Sequence, residues 1–307
     1  MKHSISILIP TYNAGKMWRA VLESISIQSI DITNKIILDS GSTDDTIKLA
    51  NDFGFQILNI KKENFDHGYA RQLLADAAHD SDILIYLTQD CILKDATSFR
   101  YLVDAFNDEK VGLAYGRQLP HIGAKTLETH ARLFNYTPVS RVKTINDKNE
   151  LGIKTASCSN SYAAYRRTAL QEVGGFPSHT IFAEDVIVGG QLLIKDWNIA
   201  YVAEAEVYHS HDYTTKEEFK RYFDIGVFHS TNKWLLDEFG TAGGEGLKYL
   251  KSELKYVLKN NPSVLPKMLL SIGAKFLGYK LGMMHDKLSV KQRKSFSMHK
   301  RYWDKVN

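Results

Sequence analysis

Apolar residues come in short runs, separated by stretches in which they recur at helical spacing. Residues 5–10 are almost wholly apolar and close on Pro10, the pattern of a buried parallel strand. Residues 16–28 then carry Met17, Val21, Leu22 and Ile25 three and four apart, as on one face of a helix. The pairing repeats. A strand at 35–38 leads to a helix with Thr43 and Asp44 as N-cap chemistry, a strand at 56–60 to a helix at 69–79, and a strand at 83–87 stops at Gln89 and Asp90. This alternation predicts an α/β fold, a twisted and mainly parallel sheet with right-handed crossovers, flanked by helices. Beyond Leu102 the rhythm weakens. Strands are predicted at 111–117, 158–165, 199–202 and 206–209, and helices at 167–173, 186–195 and 216–234. Residues 121–155 read as polar and irregular, with a turn or mobile loop at 147–149, and the tail from Leu247 reads as mostly helical.

Charge divides the chain in two. Residues 241–307 hold 14 Lys and Arg against 4 Asp and Glu, a net of +10, which leaves residues 1–240 at −6 within a total of +4. We therefore expect a body over 1–235 and a basic helical appendage over 236–307, either packed on the body with its lysines in water or lying on an anionic inner-leaflet membrane surface. No nucleic-acid module accompanies the basic tail, so nucleic acid is not an expected partner. The first strand starts within a few residues of Met1 and no run of about 18 uncharged apolar residues occurs, so neither a signal peptide nor a membrane-spanning helix is expected. Cys91 and Cys158 form no spacing motif and read as reduced thiols of a cytoplasmic protein.

Acids and histidines stand where the predicted strands end, the place at which an open α/β sheet gathers its ligand contacts. Pro10 and Thr11 close the first strand, with Tyr12 able to meet a base. Asp39 closes the second, where a carboxylate can accept the imide N–H of uracil or thymine or can only cap a helix. In the loop after the third strand, His67 is a hydrogen-bond donor for a sugar or an ordinary loop histidine, and Arg71 can fork onto a phosphate or base carbonyl. Gln89 and Asp90 end the fourth strand, where both are expected to meet a nucleotide-sugar donor. Asp90 supplies one carboxylate for Mg2+ or Mn2+, with His209, or His211 two residues on, as the helper. Glu184 and Asp185 open a helix, where they favour its dipole, or where Glu184 belongs to the acceptor sugar site and Asp185 acts as a general base. Gly175 lets backbone approach a ligand and Phe176 offers the floor of a sugar site, unless the pair is only a helix C-cap. A nucleotide contact, a metal carboxylate and a base on one sheet are what sugar transfer from a nucleotide-sugar needs. No GxGxxG and no Gly-rich phosphate loop are present, which argues against dinucleotide binding and nucleotidyl transfer.

These motifs resemble those of the family 2 inverting glycosyltransferases with the GT-A fold. The likeness is carried by residues 5–13, 36–44, 82–90, 174–176 and 184–185 and spans roughly residues 5–230. It implies Thr11 and Asp39 at the nucleotide, Asp90 at the metal, Asp185 as base, and, about two dozen residues further on, His209 as a further metal contact. A narrower likeness is to bacterial rhamnosyltransferases of surface-polysaccharide assembly. It rests on Phe65-Asp66-His67-Gly68, Leu87-Thr88-Gln89-Asp90, Phe182-Ala183-Glu184-Asp185, Tyr208-His209-Ser210-His211 and residues 219–224. It implies dTDP-β-L-rhamnose as donor and a glycan or lipid-linked glycan as acceptor. The chain departs from that pattern at Tyr69-Ala70-Arg71-Gln72, where Gly-Thr-Arg-Asn is usual. The alternatives are a UDP-hexose donor with the same chemistry, and a membrane-associated scaffold without catalysis.

Overall fold

A computed structural model describes residues 3–241 and 243–306. Among these residues, nine strands form one mixed sheet: β1 (Ile5–Thr11), β2 (Asn34–Asp39), β3 (Gln56–Asn59), β4 (Ile83–Leu87), β5 (Ile92–Leu93), β6 (Val111–Leu119), β7 (Arg141–Lys143), β8 (Tyr162–Arg166) and β9 (Asn198–Tyr208). Their order is β3-β2-β1-β4-β8-β6-β9-β5, with β7 also on β9. The first four run parallel, and β8 enters antiparallel between β4 and β6. The order climbs from β1 to β3 on one side and resumes with β4 on the other. The topological switch point therefore lies between the carboxyl ends of β1 and β4, where such sheets bind their ligands. Two hydrophobic clusters fill the two sides of the sheet, which is why the central strands β1 and β4 are nearly continuous apolar runs.

Several elements differ from the sequence expectation for local reasons. Residues 121–155 are ordered into the helix Thr126–Asn135, strand β7 and the helix Lys148–Leu151. Arg141 bridges Asp147 at 2.6 Å and Glu150 at 2.8 Å, tying down the expected mobile loop. The two short strands expected at 199–202 and 206–209 are one strand, β9, whose pairing with β6 shifts register between Gly116 and Arg117. The strand expected at 158–165 starts only at Tyr162. The helix expected through residue 234 ends at Thr231, and a second, Lys233–Phe239, follows. The boundary drawn after residue 235 falls inside that second helix, whose Leu235 and Phe239 are buried in the body.

The basic tail packs on the body through an unusually close helix crossing. The helices Thr215–Thr231 and Leu265–Met283 meet at Gly226, Gly278 and Gly282, where an added Cβ would strike the backbone of the facing helix. Further on, Trp303 is 1% exposed and belongs to one of the two core clusters. No helix among the described residues is long and apolar enough to cross a membrane.

Candidate active site

The loops at the ends of β1 and β4 are knitted together. The Tyr12 N–H donates to Gln89 Oε1 at 2.8 Å, and Gln89 Nε2 donates back to the Tyr12 carbonyl at 3.1 Å. Gln89 thus fixes the switch-point crevice through backbone contacts, where direct donor contact was expected. Asp39 differs similarly. Its carboxylate is fully buried and accepts from the Thr11 hydroxyl (3.1 Å), the Gly41 and Ser42 N–H groups (both 2.8 Å) and the Ser42 hydroxyl (2.5 Å). These four donors engage the oxygens expected to meet a nucleobase, so what Asp39 does here is shape the turn after β2. Gly41, at φ +92°, makes that turn possible. Among the groups that this end of the sheet offers to solvent are the partly exposed ring of Tyr12 and Lys62, whose Nζ stands 3.8 Å from the ring centroid. Pro10 is half-buried at the strand end. Lys62 is a contributor that the sequence reading missed, since a lone loop lysine carries no pattern.

Asp90, His209 and His211 converge. Asp90 Oδ2 lies 3.5 Å from His209 Nε2 and 3.9 Å from His211 Nε2, and one ligand atom from each of the three fits within 4.8 Å of the other two. The second histidine joins the first because the chain leaves β9 at Tyr208 and carries both rings back over Asp90. A buried amide orients the first ring. Gln118 Nε2 donates to Ser159 Oγ at 2.9 Å, so its Oε1 faces the other way and takes a hydrogen bond from Arg132 Nη1 at 2.9 Å. His209 Nδ1 is also 2.9 Å from that oxygen and must be the donor, which turns Nε2 toward Asp90. Burial would push the Asp90 carboxyl up, but His209, Thr88 and His211 outweigh it and hold the group well below the usual carboxylate range. Burial pulls His211 down to about 4, so its imidazole is neutral near pH 7. One carboxylate and two imidazoles are a fitting donor set for a divalent ion such as Mn2+. Gln118 and Arg132 were not foreseen, because nothing in the sequence links residue 118 to residue 209.

Glu184 and Asp185 both lie in the first turn of the helix Glu184–Ile194, which begins two residues earlier than its apolar pattern suggested. Ala183 just before it is left-handed (φ 58°, ψ 35°), a strained conformation for a residue with a Cβ. The two acids face different surroundings. Glu184 is 4% exposed, pairs with Arg71 Nη1 at 2.6 Å and accepts from Asn160 Nδ2 at 3.1 Å. Asp185 is only half-buried, and its carboxylate accepts the Asn160 N–H at 3.0 Å and its own helix's Val186 N–H at 2.9 Å. Burial would raise Glu184, but Arg71 outweighs it and keeps the group low. Burial and the charge of Glu184 push Asp185 up to about 6. Asn160 thus touches both acids. It lies in the polar stretch 157–161, for which the sequence suggested no role.

Four expected site residues belong to the frame instead. Arg71 is 5% exposed and held by Glu184, so it does not fork onto a nucleotide, and Glu184 in turn is turned into the core, away from a sugar site. Phe176 is 5% exposed, edge-on to Tyr86 at 5.2 Å and Tyr165 at 5.1 Å, so its ring is core and not a sugar floor. At Gly175, φ is +79° and a Cβ would strike the Gln72 amide. The glycine therefore serves that contact, in which Gln72 Oε1 accepts the Phe176 N–H at 2.9 Å. His67 faces the C-terminal segment, 5.5 Å from the His299 ring.

The sheet order, the trio on Asp90 and the paired acids can now be set beside known proteins. The model of the family described as glycosyl transferase family 2 matches residues 6–174, more than half of the chain. The chain belongs to glycosyl transferase family 2. It is 47% identical to the O-antigen chain rhamnosyltransferase RfbN of Salmonella typhimurium, over 98% of this chain and 96% of that one. It is 44% identical to the O-antigen chain rhamnosyltransferase WbaN of Salmonella anatum, over 99% and 96%. Among solved structures, the mannosyltransferase PcManGT of Pyrobaculum calidifontis, in complex with GDP-Man and Mn2+, superposes with a TM-score of 0.59 at 16% identity. That match covers 99% of this chain and 86% of that one, and at such identity it speaks for the GT-A-like fold alone.

Proposed function

We propose that this glycosyltransferase moves L-rhamnose, with inversion, from dTDP-β-L-rhamnose to a hydroxyl of a glycan acceptor, in the lipid-linked form, during polysaccharide biosynthesis. The observation that carries the reading is the likeness to two O-antigen chain rhamnosyltransferases over almost the whole of both chains. The geometry fits it. The switch-point crevice beside Tyr12 and Lys62 would take the nucleotide. Asp90, His209 and His211 would hold Mg2+ or Mn2+, and a metal there supplies positive charge against the diphosphate that leaves. Asp185 accepts the proton of the acceptor hydroxyl as that oxygen bonds to the anomeric carbon and the bond from that carbon to the donor diphosphate breaks. The displacement comes from the face opposite the leaving group, which inverts the configuration.

The place of action we infer is the inner face of the cell membrane. On the helix Leu265–Met283 the outward stripe is Leu269, Leu270, Phe276 and Leu277, each more than half exposed, with Lys280 beside them and no acid in the whole helix. A face of that composition suits the headgroup region of an anionic bilayer. Transfer is tested by incubating the protein and Mn2+ with dTDP-β-L-rhamnose, UDP-glucose or UDP-galactose and membranes carrying lipid-linked glycan, and measuring sugar in the lipid fraction. Incorporation from dTDP-rhamnose is expected. Incorporation from a UDP-hexose alone would keep the mechanism and reject the donor. Nucleotide binding without transfer from any donor would reject catalysis.

A further inference from the structure

Residues 157–161 read Ser-Cys-Ser-Asn-Ser, small and uncharged, between the helical turn Gly152–Thr155 and strand β8. Such a run has no apolar face to bury and no place in a helix or a ladder. Where it is drawn inside, each polar group needs a partner of its own. Here all five residues are partly or fully buried, and Asn160 is 2% exposed. Their partners are parts of the active site.

Each residue of this strap holds a different piece. The Ser157 carbonyl accepts from the buried Lys143 Nζ, which also donates to the Lys154 carbonyl at 3.2 Å. Cys158 Sγ donates to the Asp185 carbonyl at 3.3 Å. Ser159 Oγ accepts at 2.9 Å from Gln118 Nε2, the amide whose oxygen takes the His209 Nδ1–H. Asn160 holds both acids, its N–H on Asp185 Oδ2 at 3.0 Å and its side chain on Glu184 Oε1 at 3.1 Å. The Ser161 carbonyl accepts at 3.2 Å the N–H of Thr88, two residues before Asp90. Gly189 lets the helix of the base come this close, since a Cβ there would strike the Ala156 carbonyl.

The chemistry of its partners fixes how Asn160 stands. Glu184, kept ionised by Arg71, can only accept, so the Asn160 NH2 group faces it and the amide oxygen faces Tyr165. The fully buried Tyr165 hydroxyl, 2.7 Å from that oxygen, is therefore the donor. Held from both sides, the side chain cannot turn, and the backbone N–H beside it stays on Asp185. Ser159 is the residue before. The orienting amide of the metal histidine and the carboxylate of the base are thus held by consecutive residues, whose Cα atoms are about 3.8 Å apart.

We infer that Ser159 and Asn160 are positioning residues on one strap, which sets the His209 ring and the Asp185 carboxylate relative to each other. Ser159 acts through Gln118 and His209, and Asn160 through the two acids. The inference rests on the transferase reading above, in which Asp185 is the base and the trio on Asp90 holds the ion.

The test is a set of variants of the full chain, read by Mn2+ electron paramagnetic resonance, dTDP calorimetry and initial rates of transfer at saturating donor and Mn2+. Ser159→Ala should weaken Mn2+ binding about tenfold, the size usual when an outer partner of a metal ligand is lost. It should also lower kcat once Mn2+ is saturating, because the strap that it loosens holds the base. Asn160→Ala should lower kcat about tenfold or more through misplacement of the base, with dTDP and Mn2+ affinities and the acceptor KM within about threefold of the parent. Tyr165→Phe keeps the ring and removes only the hydroxyl that orients Asn160. It should lower kcat in the same direction, and it decides the point if Asn160→Ala does not fold. Parental Mn2+ affinity in Ser159→Ala, or parental kcat in Asn160→Ala and Tyr165→Phe, would overturn the inference. A Ser159→Ala that loses Mn2+ affinity but regains full kcat at saturating Mn2+ would reduce the strap to two separate contacts and refute the coupling. A parent that binds Mn2+ but transfers sugar from no donor would overturn the transferase reading instead, and the Mn2+ measurement would still decide Ser159.

Discussion

Replacing Arg71 with methionine separates two roles that its place in the sequence leaves open. Arg71 and Glu184 pair at 2.6 Å with side chains 7% and 5% exposed. Methionine keeps the aliphatic bulk and removes the charge, leaving Glu184 with Asn160 as its remaining hydrogen-bond donor. Breaking a buried pair by removing one partner costs about 3–5 kcal/mol, a large part of the roughly 5–15 kcal/mol that ordinarily holds a protein folded. Urea unfolding followed by tryptophan fluorescence should therefore show a markedly lower midpoint. The double variant Arg71→Met/Glu184→Leu should recover most of the loss, because an ion pair replaced on both sides by apolar groups is often neutral. The dTDP affinity of whatever remains folded should be close to that of the parent. If Arg71→Met unfolds at the parental midpoint but binds dTDP tenfold more weakly, the arginine is a nucleotide ligand and its assignment to the core is wrong.

Asp185→Asn should lower transfer by about two to four orders of magnitude while leaving dTDP binding intact, as measured by initial rates and calorimetry. Because Asp185 is pushed up to about 6, it is protonated below that pH and cannot accept the acceptor's proton; kcat/KM should rise with pH through about 6 and then level, and a profile flat down to pH 5 would remove it as the base. His209→Ala should weaken Mn2+ binding by about tenfold or more, seen as loss of the bound-ion signal in electron paramagnetic resonance, and Gln118→Leu should weaken it in the same direction by freeing the ring. Leu270→Glu with Phe276→Glu should abolish co-sedimentation with vesicles containing anionic lipid and leave the urea midpoint near that of the parent, since both side chains are 66% exposed.

What was legible in the sequence was whatever a short window contains. The runs that became β1 and β4 are buried on both faces, so nearly every position is apolar and the strands declare themselves. Asp90 and His209 could be named because each stands where such a run stops. The partners of these residues were not legible. Gln118 meets His209 across 91 positions and Asp224 holds Met298 across 74, and no local pattern reports contacts that only the fold creates. Residues 121–155 looked irregular because their helices are short and lie half-exposed, held by ion pairs such as those of Arg141 that leave no periodic trace.

The adjacent acids show the same limit at its sharpest. By composition Glu184 and Asp185 are interchangeable, and both favour the helix dipole. On a helix, neighbouring residues point about 100° apart, so one turn can send one carboxylate inward and the next toward the crevice. The inward one meets Arg71 and stays ionised in the core. For the outward one, burial and its neighbour's negative charge outweigh the pull of Arg71 and raise its affinity for a proton. Two carboxyls whose environments push them apart are the usual sign of divided labour in a catalytic pair. In the proposed mechanism this division would make Glu184 the fixed charge that, with burial, keeps Asp185 basic enough to take a proton near neutral pH. Glu184→Gln should therefore lower the pH at which Asp185 titrates, moving the rising limb of the rate profile to more acid values. A rising limb that stays in place would mean that burial alone, and not the neighbouring charge, sets the base.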